Sequence, residues 1–465
     1  MKSFRKSAAI FIFVFIIFSS LSGLASDQVL LKNAKIYTMG LLGILENGMI
    51  LITDGNIERI GPDIPIPSGA QVFDLSGKTV IPGMVCVSSS LFLEKQDLQY
   101  AGEEKSDTDI LEGLDYFDLH IPQILKHGVT TVYISPVSFR FIGGLGAVVK
   151  VISGENGKIQ ILKEKAALNI RLERLQDKKT SNVLRLTQYH RIRDRFKQAV
   201  EYRKEWADYK KKLEKQKNEK KKLAEKKKEE SDKKPTKKPP AVKKPKEPQK
   251  PKKDEAKEIL IHAMDKKIPV RFIVHRPDAI LQALQLGREF GLSIILERGE
   301  DWPQLLHELE KASVSLLSNP LLDYRSYLLP GGAKGYAAGF FQVKEDDLFY
   351  SDKESVREKE PEQASWGKLA DSKIGFALVP PDRFPLSARF MRLYAALLSS
   401  HGGSPEFALG AVTSGAAKIL GVADRVGSLE KGKDADLVVL DGEALDSLSK
   451  VEMVFVDGVV VWEKK

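Results

Sequence analysis

The chain has 465 residues, which exceeds the usual size of one domain but suits a large α/β barrel with a small attached domain. Its net charge of +10 would suit a nucleic-acid-binding protein, but that charge is confined to one segment. Residues 201–260 hold 24 Lys and Arg against 13 Asp and Glu, a net charge of +11, so the rest of the chain carries −1. The folded part is therefore not basic, and we do not expect it to bind nucleic acid.

The N-terminal residues have the pattern of a secretory signal peptide. Lys2, Arg5 and Lys6 precede an apolar run, and small residues then lead to Ala25. We predict a signal peptide at residues 1–25, cleaved after Ala25, and therefore a periplasmic or secreted protein. An uncleaved N-terminal membrane anchor is the alternative, because the apolar run approaches the ~17–20 residues that a spanning helix needs.

Two similar sequences near the two ends predict one small β domain. GMILITDGNIERIG (48–61) and VEMVFVDGVVVWE (451–463) each place an Asp-Gly pair between two apolar runs, and such a pair favours a tight hairpin turn. DADLVVLDG (434–442) adds a buried strand. We therefore predict a composite β domain built from residues 26–80 plus 421–465.

Predicted strands and helices alternate between these ends. An apolar run predicts one strand from Val80 to Val87, and residues 268–275, 277–291 and 292–297 have the patterns of strand, helix and strand. Alternation of this kind is typical of parallel strands joined by crossover helices, so we predict a (β/α)8-type barrel over residues 81–420. A doubly wound open sheet is the competing fold, but no Gly-rich phosphate loop follows any predicted strand.

A charged insertion, residues 198–256, interrupts this alternation. Ala199 to Glu230 has Glu and Lys at three- and four-residue spacings, which favours a solvated helix. Ser231 to Lys253 is dominated by Lys and Pro and is predicted to be disordered and extended. We interpret the insertion as a solvated loop, and the alternative is a Lys-rich arm that contacts anionic material of the cell envelope.

Four segments resemble the amidohydrolase superfamily: GKTVIPGMVCVSSSL (77–91), HGVTTVYISP (127–136), IPVRFIVHRPDAILQAL (268–284) and ALGAVTSGAAKILGVADRVGSLEKGKDADLVVLDG (408–442). The second and third are similar to its imidazolonepropionase-like branch. The resemblance covers nearly all of the mature chain except the Lys-rich insertion. It implies a metal-dependent hydrolase fold, in which a barrel carries a β-sandwich built from both termini, and a family reaction that hydrolyses non-peptide carbon–nitrogen bonds.

The resemblance also implies where a metal site would lie, and this chain departs from it. Superfamily members hold a divalent metal with a His-x-His pair after the first barrel strand, where this chain has Ser88 and Ser90. Since a neutral hydroxyl is a poor zinc ligand, we predict that these two ligand positions are lost. The resemblance implies that His275 corresponds to a further metal-binding His, and that Glu297 stands where many relatives have His. It implies that Asp382 corresponds to the catalytic Asp, after a one-residue shift.

The alternative to metal binding for His275, Glu297 and Asp382 is an ordinary structural role. A strand-end histidine makes ordinary hydrogen bonds, and a strand-end glutamate more often reaches solvent. Cys86, the only cysteine, lies in an apolar run where we expect a buried small side chain rather than a nucleophile. We therefore predict no metal cofactor, and a zinc-type divalent ion only if His275, Glu297 and Asp382 assemble around it.

Three hypotheses for function follow. We favour an exported protein that has lost metal-dependent catalysis and binds a small molecule or a protein partner, as a homo-oligomer or beside an active relative. The second is an active hydrolase of cyclic amides or small peptide-like substrates that uses a reduced metal site. The third is an envelope-binding scaffold in which the Lys-rich arm carries the function.

Overall fold

A computed structural model describes residues 28–93, 106–136, 141–152, 159–172, 182–231, 248–299, 301–319, 364–381 and 384–464. Its strands are β1 (Gln28–Tyr37), β2 (Ile44–Thr53), β3 (Asn56–Gly61), β4 (Gln71–Asp74), β5 (Thr79–Pro82), β6 (Met84–Ser89), β7 (Val129–Ile134), β8 (Ile142–Lys150), β9 (Ile161–Arg171), β10 (Val270–Ile273), β11 (Ile294–Glu297), β12 (Ser315–Ser318), β13 (Gly375–Leu378), β14 (Leu437–Leu440), β15 (Val451–Val456) and β16 (Val459–Glu463). Its α-helices are α1 (Ile121–Leu125), α2 (Asn182–Ser231), α3 (Glu255–Met264), α4 (Pro277–Phe290), α5 (Leu306–Ala312), α6 (Ala364–Asp371), α7 (Met391–Ser400), α8 (Pro405–Gly410) and α9 (Ser414–Leu420).

Three predicted features lie outside the described residues: the signal peptide at residues 1–25, the candidate catalytic Asp382, and most of the Lys/Pro-rich stretch that follows Ser231. None of the helices within the described ranges combines the length and the apolar character that a membrane span needs.

The two ends of the chain form one eight-stranded sheet. Its order is β16-β15-β14-β5-β1-β2-β3, and β4 pairs with β1 outside this path. Two hairpin turns have positive φ at Asp54 (50°) and Gly55 (81°), and again at Asp457 (48°) and Gly458 (72°). The separate terminal sheet and its two Asp-Gly hairpins are therefore as predicted.

The second sheet is a nearly closed barrel of eight strands, β6 to β13, which are neighbours in chain order. This confirms the predicted barrel, with one difference: β8 is antiparallel to both β7 and β9, whereas the other neighbours are parallel. The connection from Ile134 to Ile142 is too short for a crossover helix, which needs about a dozen residues, so β8 must run back along β7.

The segment between α8 and α9 bridges the first and last barrel strands. The Val85 N–H in β6 donates to the Val412 carbonyl (2.8 Å), and the Leu378 N–H in β13 donates to the Ala411 carbonyl (2.9 Å). These bonds give partners to backbone N–H groups at the edges of β6 and β13. The barrel is therefore closed through this segment, since β6 and β13 make few direct contacts with each other.

The single strand predicted from Val80 to Val87 is in fact two strands in different sheets. β5 pairs with β14 in the terminal sheet, and β6 pairs with β7 in the barrel. The chain changes sheet at Gly83, where a Cβ atom would lie 2.2 Å from Thr130 Oγ1. Only glycine fits this close approach. The sequence indicates a turn at Pro82-Gly83, but the apolar residues on both sides of it did not show that they belong to different sheets.

Helix α2 begins at Asn182, earlier than the helix predicted from Ala199. One face of its first half packs against the barrel, because Tyr189, Ile192 and Phe196 are buried in the apolar core around the barrel strands. Phe196 stacks on Phe290 of α4 at 5.0 Å between ring centroids. Beyond Tyr202 most of its described side chains are exposed. The prediction of a solvated helix therefore fits the second half of α2 only.

A buried charge cluster joins the barrel to the terminal sheet. Lys150, the last residue of β8, is fully buried and forms ion pairs with Asp434 (2.7 Å), Asp436 (3.0 Å) and Asp457. Arg425 also pairs with Asp434 at 2.7 Å. Burial lowers the pKa of Lys150, but the three carboxylates outweigh burial and the net shift is upward. The ammonium is therefore charged and holds both units together.

Asp436 gives this cluster a pH dependence. Burial raises its pKa to about 6, and the Lys150 ammonium offsets only part of that effect. Because an unfolded Asp has a pKa near 4, the folded protein holds this proton over about pH 4 to 6 while the unfolded chain has lost it. The stability that this proton gives is therefore complete below about pH 4 and lost as the pH rises through about 6.

We expect Asp436→Asn to remove this component. We compare the free energy of unfolding of the wild type with that of the variant. The wild-type value minus the variant value should decrease by about 3 kcal/mol between pH 4 and pH 7. Urea unfolding at four pH values measures the difference directly. Parallel pH profiles for the two proteins would contradict the assignment.

Candidate functional site

The carboxyl ends of the barrel strands place Ser88 and Glu297 in contact. Ser88 lies near the end of β6 and Glu297 ends β11, and their exposed fractions are 2% and 0%. The Ser88 hydroxyl donates a hydrogen bond to Glu297 Oε1 at 3.1 Å. Two of the residues predicted from sequence therefore meet, but as a neutral donor and a buried carboxylate.

Arg271 supplies the positive charge at this point. It lies in β10 between Val270 and Phe272, which pack in the outer core, so its own side chain faces the barrel interior. Its Nε–H donates to Glu297 Oε2 at 2.7 Å, and both side chains are fully buried. The carboxylate thus has a donor at each oxygen, one charged and one neutral.

Tyr133 and Asn169 hold the arginine in place. The guanidinium carbon of Arg271 lies 4.3 Å from the centroid of the Tyr133 ring, a cation–π contact. The Tyr133 hydroxyl donates to Asn169 Oδ1 (2.9 Å), and Asn169 Nδ2 donates to the Gly144 carbonyl (3.1 Å). Gly146 leaves room for the hydroxyl, since a Cβ there would lie 2.2 Å from it.

We name Ser88, Tyr133, Asn169, Arg271 and Glu297 the barrel network. The sequence interpretation missed Tyr133, Asn169 and Arg271. Arg271 carried a usable signal, because a charged residue within a short apolar strand is rarely buried without a partner. The partner itself, 26 residues further on, was not visible in the pattern.

His275 and Ser90 lie close to the network in the chain, and both are beyond strand ends. His275 is two residues past the end of β10 and is 3% exposed. The Val274 N–H donates to the Glu297 carbonyl at 3.0 Å, so His275 follows a strand end next to that of Glu297. Ser90 follows β6 and is partly buried. The third candidate ligand, Asp382, lies outside the described residues.

These donors do not fit a divalent metal ion. Within the described ranges, no group of three or more His, Cys, Asp or Glu side chains is placed to hold one. Ser88 and Ser90 offer neutral hydroxyls, which are poor zinc ligands. The candidate carboxylate ligand, Glu297, already binds a guanidinium at 2.7 Å, and that fixed cation would repel a second one.

Cys86 lies two residues before Ser88 in β6, and its thiol is not activated as a nucleophile. It is fully buried in β6, and its thiol donates to the Ser88 carbonyl at 3.2 Å. Burial raises the pKa of the thiol to about 12. The predicted role as a small buried side chain therefore agrees with its position.

We expect Cys86 to resist alkylation in the folded protein. At pH 8 almost none of the thiol is ionised and no part of the side chain is exposed, so iodoacetamide should modify it only after unfolding in denaturant. Mass spectrometry of labelled protein with and without denaturant measures this. Complete labelling of the native protein within minutes would contradict the burial of Cys86.

Comparison with known proteins identifies the C-terminal part of the chain. Residues 382–461 match the family model described as the amidohydrolase family. This part of the chain is therefore similar to the amidohydrolase family. It includes α7 to α9, which close and cover the barrel, and the strands β14 to β16 of the terminal sheet. A search of curated proteins found no significant match.

Solved structures extend the amidohydrolase likeness over the whole fold. An amidohydrolase from Thermotoga maritima MSB8 is 28% identical with a TM-score of 0.69, and the alignment covers 94% of this chain and 100% of that one. A putative prolidase from Bifidobacterium longum is 17% identical with a TM-score of 0.50, covering 94% and 95%. A prolidase complexed with N-methylphosphonate-L-proline is 16% identical with a TM-score of 0.51, covering 94% and 100%. At these identities the two prolidases support the fold alone.

Proposed function

We propose that this protein has the amidohydrolase fold but has lost metal-dependent hydrolysis, and that it acts as an exported binding or partner subunit. One observation carries the proposal: the Glu297 carboxylate at the barrel's carboxyl end is bound by Arg271 and Ser88. The carboxylate therefore has its counter-charge from the protein itself.

Electrostatics supports this proposal over a reduced metal site. A divalent ion on Glu297 would lie within about 4 Å of the guanidinium, and a charge of +2 and a charge of +1 at that distance repel by about 8 kcal/mol at an effective dielectric constant of 20. Moving Arg271 away would leave its charge buried and unpaired, which also destabilises the protein. A catalytic ion has to lower the pKa of its water and polarise a carbonyl, and the described donors do not hold such an ion.

The remaining parts of the proposal rest on the sequence. Membership of the imidazolonepropionase-like branch is supported by the segments at residues 127–136 and 268–284. Export is supported by the signal-peptide pattern of residues 1–25. The partner is a small molecule or a protein, which includes a second copy of this chain or an active relative.

Metal analysis of the mature chain, residues 26–465, tests the loss of catalysis. After incubation with zinc or manganese and gel filtration, we expect no retained ion and no hydrolysis of dipeptides or cyclic amides. The triple variant Ser88→His, Ser90→His, Arg271→Met restores imidazole ligands and removes the cation, so it should retain zinc and serves as the positive control. One tightly held ion per wild-type chain, released by His275→Ala, would overturn the proposal.

N-terminal sequencing of protein recovered from cell fractions tests export. We expect a mature chain that begins after Ala25 in the periplasmic or secreted fraction. Recovery of the full-length chain in the membrane fraction would favour the anchor instead.

A further inference from the structure

Arg271 uses only part of its hydrogen-bonding capacity. Its Nε–H binds Glu297, while Nη1 and Nη2 are fully buried and have no hydrogen-bond partner among the residues that the structure describes. A buried guanidinium with unpaired N–H groups is costly, so proteins normally give every such donor a partner.

Tyr133 does not satisfy these donors. Its ring covers the face of the guanidinium, with the carbon 4.3 Å from the ring centroid. A cation–π contact stabilises the charge through the face and leaves the N–H bonds, which lie in the guanidinium plane, unbound. The edge formed by Nη1 and Nη2 is therefore a flat, doubly donating group that is buried without a hydrogen-bond partner among the described residues.

The other polar groups of the network, and the Cys86 thiol, accept no hydrogen bond from this edge. Glu297 is already bound through Nε, the Ser88 hydroxyl donates to Glu297, and the Cys86 thiol is neutral since burial raises its pKa to about 12. The network thus contains one cation and one anion, which are paired at one edge of the guanidinium. The remaining edge matches the two oxygens of a carboxylate, which a guanidinium binds through two parallel N–H bonds.

We propose that the barrel interior at the carboxyl end of its strands binds a small molecule through a carboxylate group, and that the Nη1–Nη2 edge of Arg271 is its recognition element. Ligands of barrel proteins enter at this end of the strands, where Ser88 and Glu297 lie. This deepens the proposed function, on which it rests, by naming the chemical class of the ligand.

Titration of the mature protein with N-acetylglycine tests this proposal, with N-acetylglycinamide as the matched neutral compound and inorganic phosphate as the competing anion. Calorimetry at low ionic strength and pH 7 should detect binding of the carboxylate but not of the amide or the phosphate. Glu297→Gln removes the internal anion, so this variant should bind N-acetylglycine about tenfold more tightly.

Variants at Arg271 decide whether this side chain is responsible. The double variant Arg271→Met, Glu297→Gln carries no buried charge in the network and should lose binding, and Arg271→Lys, which keeps one charge but no planar edge, should weaken it at least tenfold. Arg276→Met is the surface control and should bind normally, because Arg276 is exposed and pairs with Asp278 at 3.0 Å.

Three results would overturn the proposal: no binding by both the wild type and Glu297→Gln, unchanged affinity after loss of Arg271, or phosphate binding as tight as that of N-acetylglycine. A protein that holds no metal yet binds no carboxylate would overturn the ligand class alone. Retained metal in the wild type would instead overturn the proposed loss of catalysis.

Discussion

Replacing Arg271 with methionine is expected to lower the free energy of unfolding by about 3–5 kcal/mol. The variant keeps a side chain of similar length but removes the charged donor of the buried Glu297 carboxylate, whereas the neutral Ser88 hydroxyl remains bound to it. The contact with the Tyr133 ring is lost as well. Urea unfolding of the wild type and the variant measures the change.

A comparison of Arg271→Met with a double variant separates the effect of the unpaired charge from the effect of lost packing. If the Arg271–Glu297 pair acts as we describe, the double variant Arg271→Met, Glu297→Gln should recover about half of the stability lost in Arg271→Met, because no charge is then left unpaired. Arg276→Met, at an exposed and salt-bridged position, should change stability by less than about 0.5 kcal/mol. Equal losses in the single and double variants would show that the guanidinium matters only by its volume.

Replacing Lys150 with methionine should have an effect of similar size, about 3–5 kcal/mol. The ammonium is fully buried and pairs with three carboxylates. Its removal leaves Asp434, Asp436 and Asp457 close together, and within the described ranges the one remaining cation is Arg425, which pairs with Asp434. Because these groups join β8 of the barrel to the terminal sheet, the two units should also unfold less cooperatively. Thermal unfolding followed by calorimetry measures both effects.

Lys163→Met is the matched control for Lys150. Lys163 lies on the neighbouring strand β9, and its Nζ donates to a single backbone carbonyl, that of Leu420, at 3.2 Å. Among the described residues Lys163 forms no ion pair, and the carboxylate that acts on it from a distance, Asp424, is exposed, so we expect a change of about 1 kcal/mol at most. A Lys150→Met variant no less stable than Lys163→Met would contradict the role of Lys150 as the link between the units.

Local turn chemistry explains why the terminal sheet was predictable. Asp54-Gly55 and Asp457-Gly458 need positive φ, and few residue types other than Gly, Asn and Asp supply it without strain. The turn type then fixes which strands pair, so two short sequence stretches were enough to place the hairpins. No information from distant parts of the chain was needed.

Two features of the barrel could not be predicted from the sequence pattern. Alternation of strands and helices predicted it, but the reversal of β8 depends on the length of the connection after Ile134. The change of sheet at Gly83 depends on the close approach of Thr130 in β7, which leaves no room for a side chain at position 83. Apolar periodicity records which side chains are buried and carries no information about the sheet against which they are buried.

Two residues of the candidate site were named from the sequence, but the charged residue that binds one of them was not. Ser88 and Glu297 were named, and they do meet, at 3.1 Å. Arg271 was visible as a single charge in a buried strand, but its partner could not be identified, because the partner comes from a different strand. Interactions between strand ends are a property of the closed barrel, so a linear pattern cannot contain them.

The measurement that tests this account most directly is a crystal structure of the mature protein grown with zinc, with data collected at the zinc absorption edge. We predict no anomalous peak near Glu297 or His275, and Arg271 Nε within hydrogen-bonding distance of Glu297 Oε2. An anomalous peak coordinated by His275 and Glu297, with the guanidinium turned away, would contradict the replacement of the metal by an arginine.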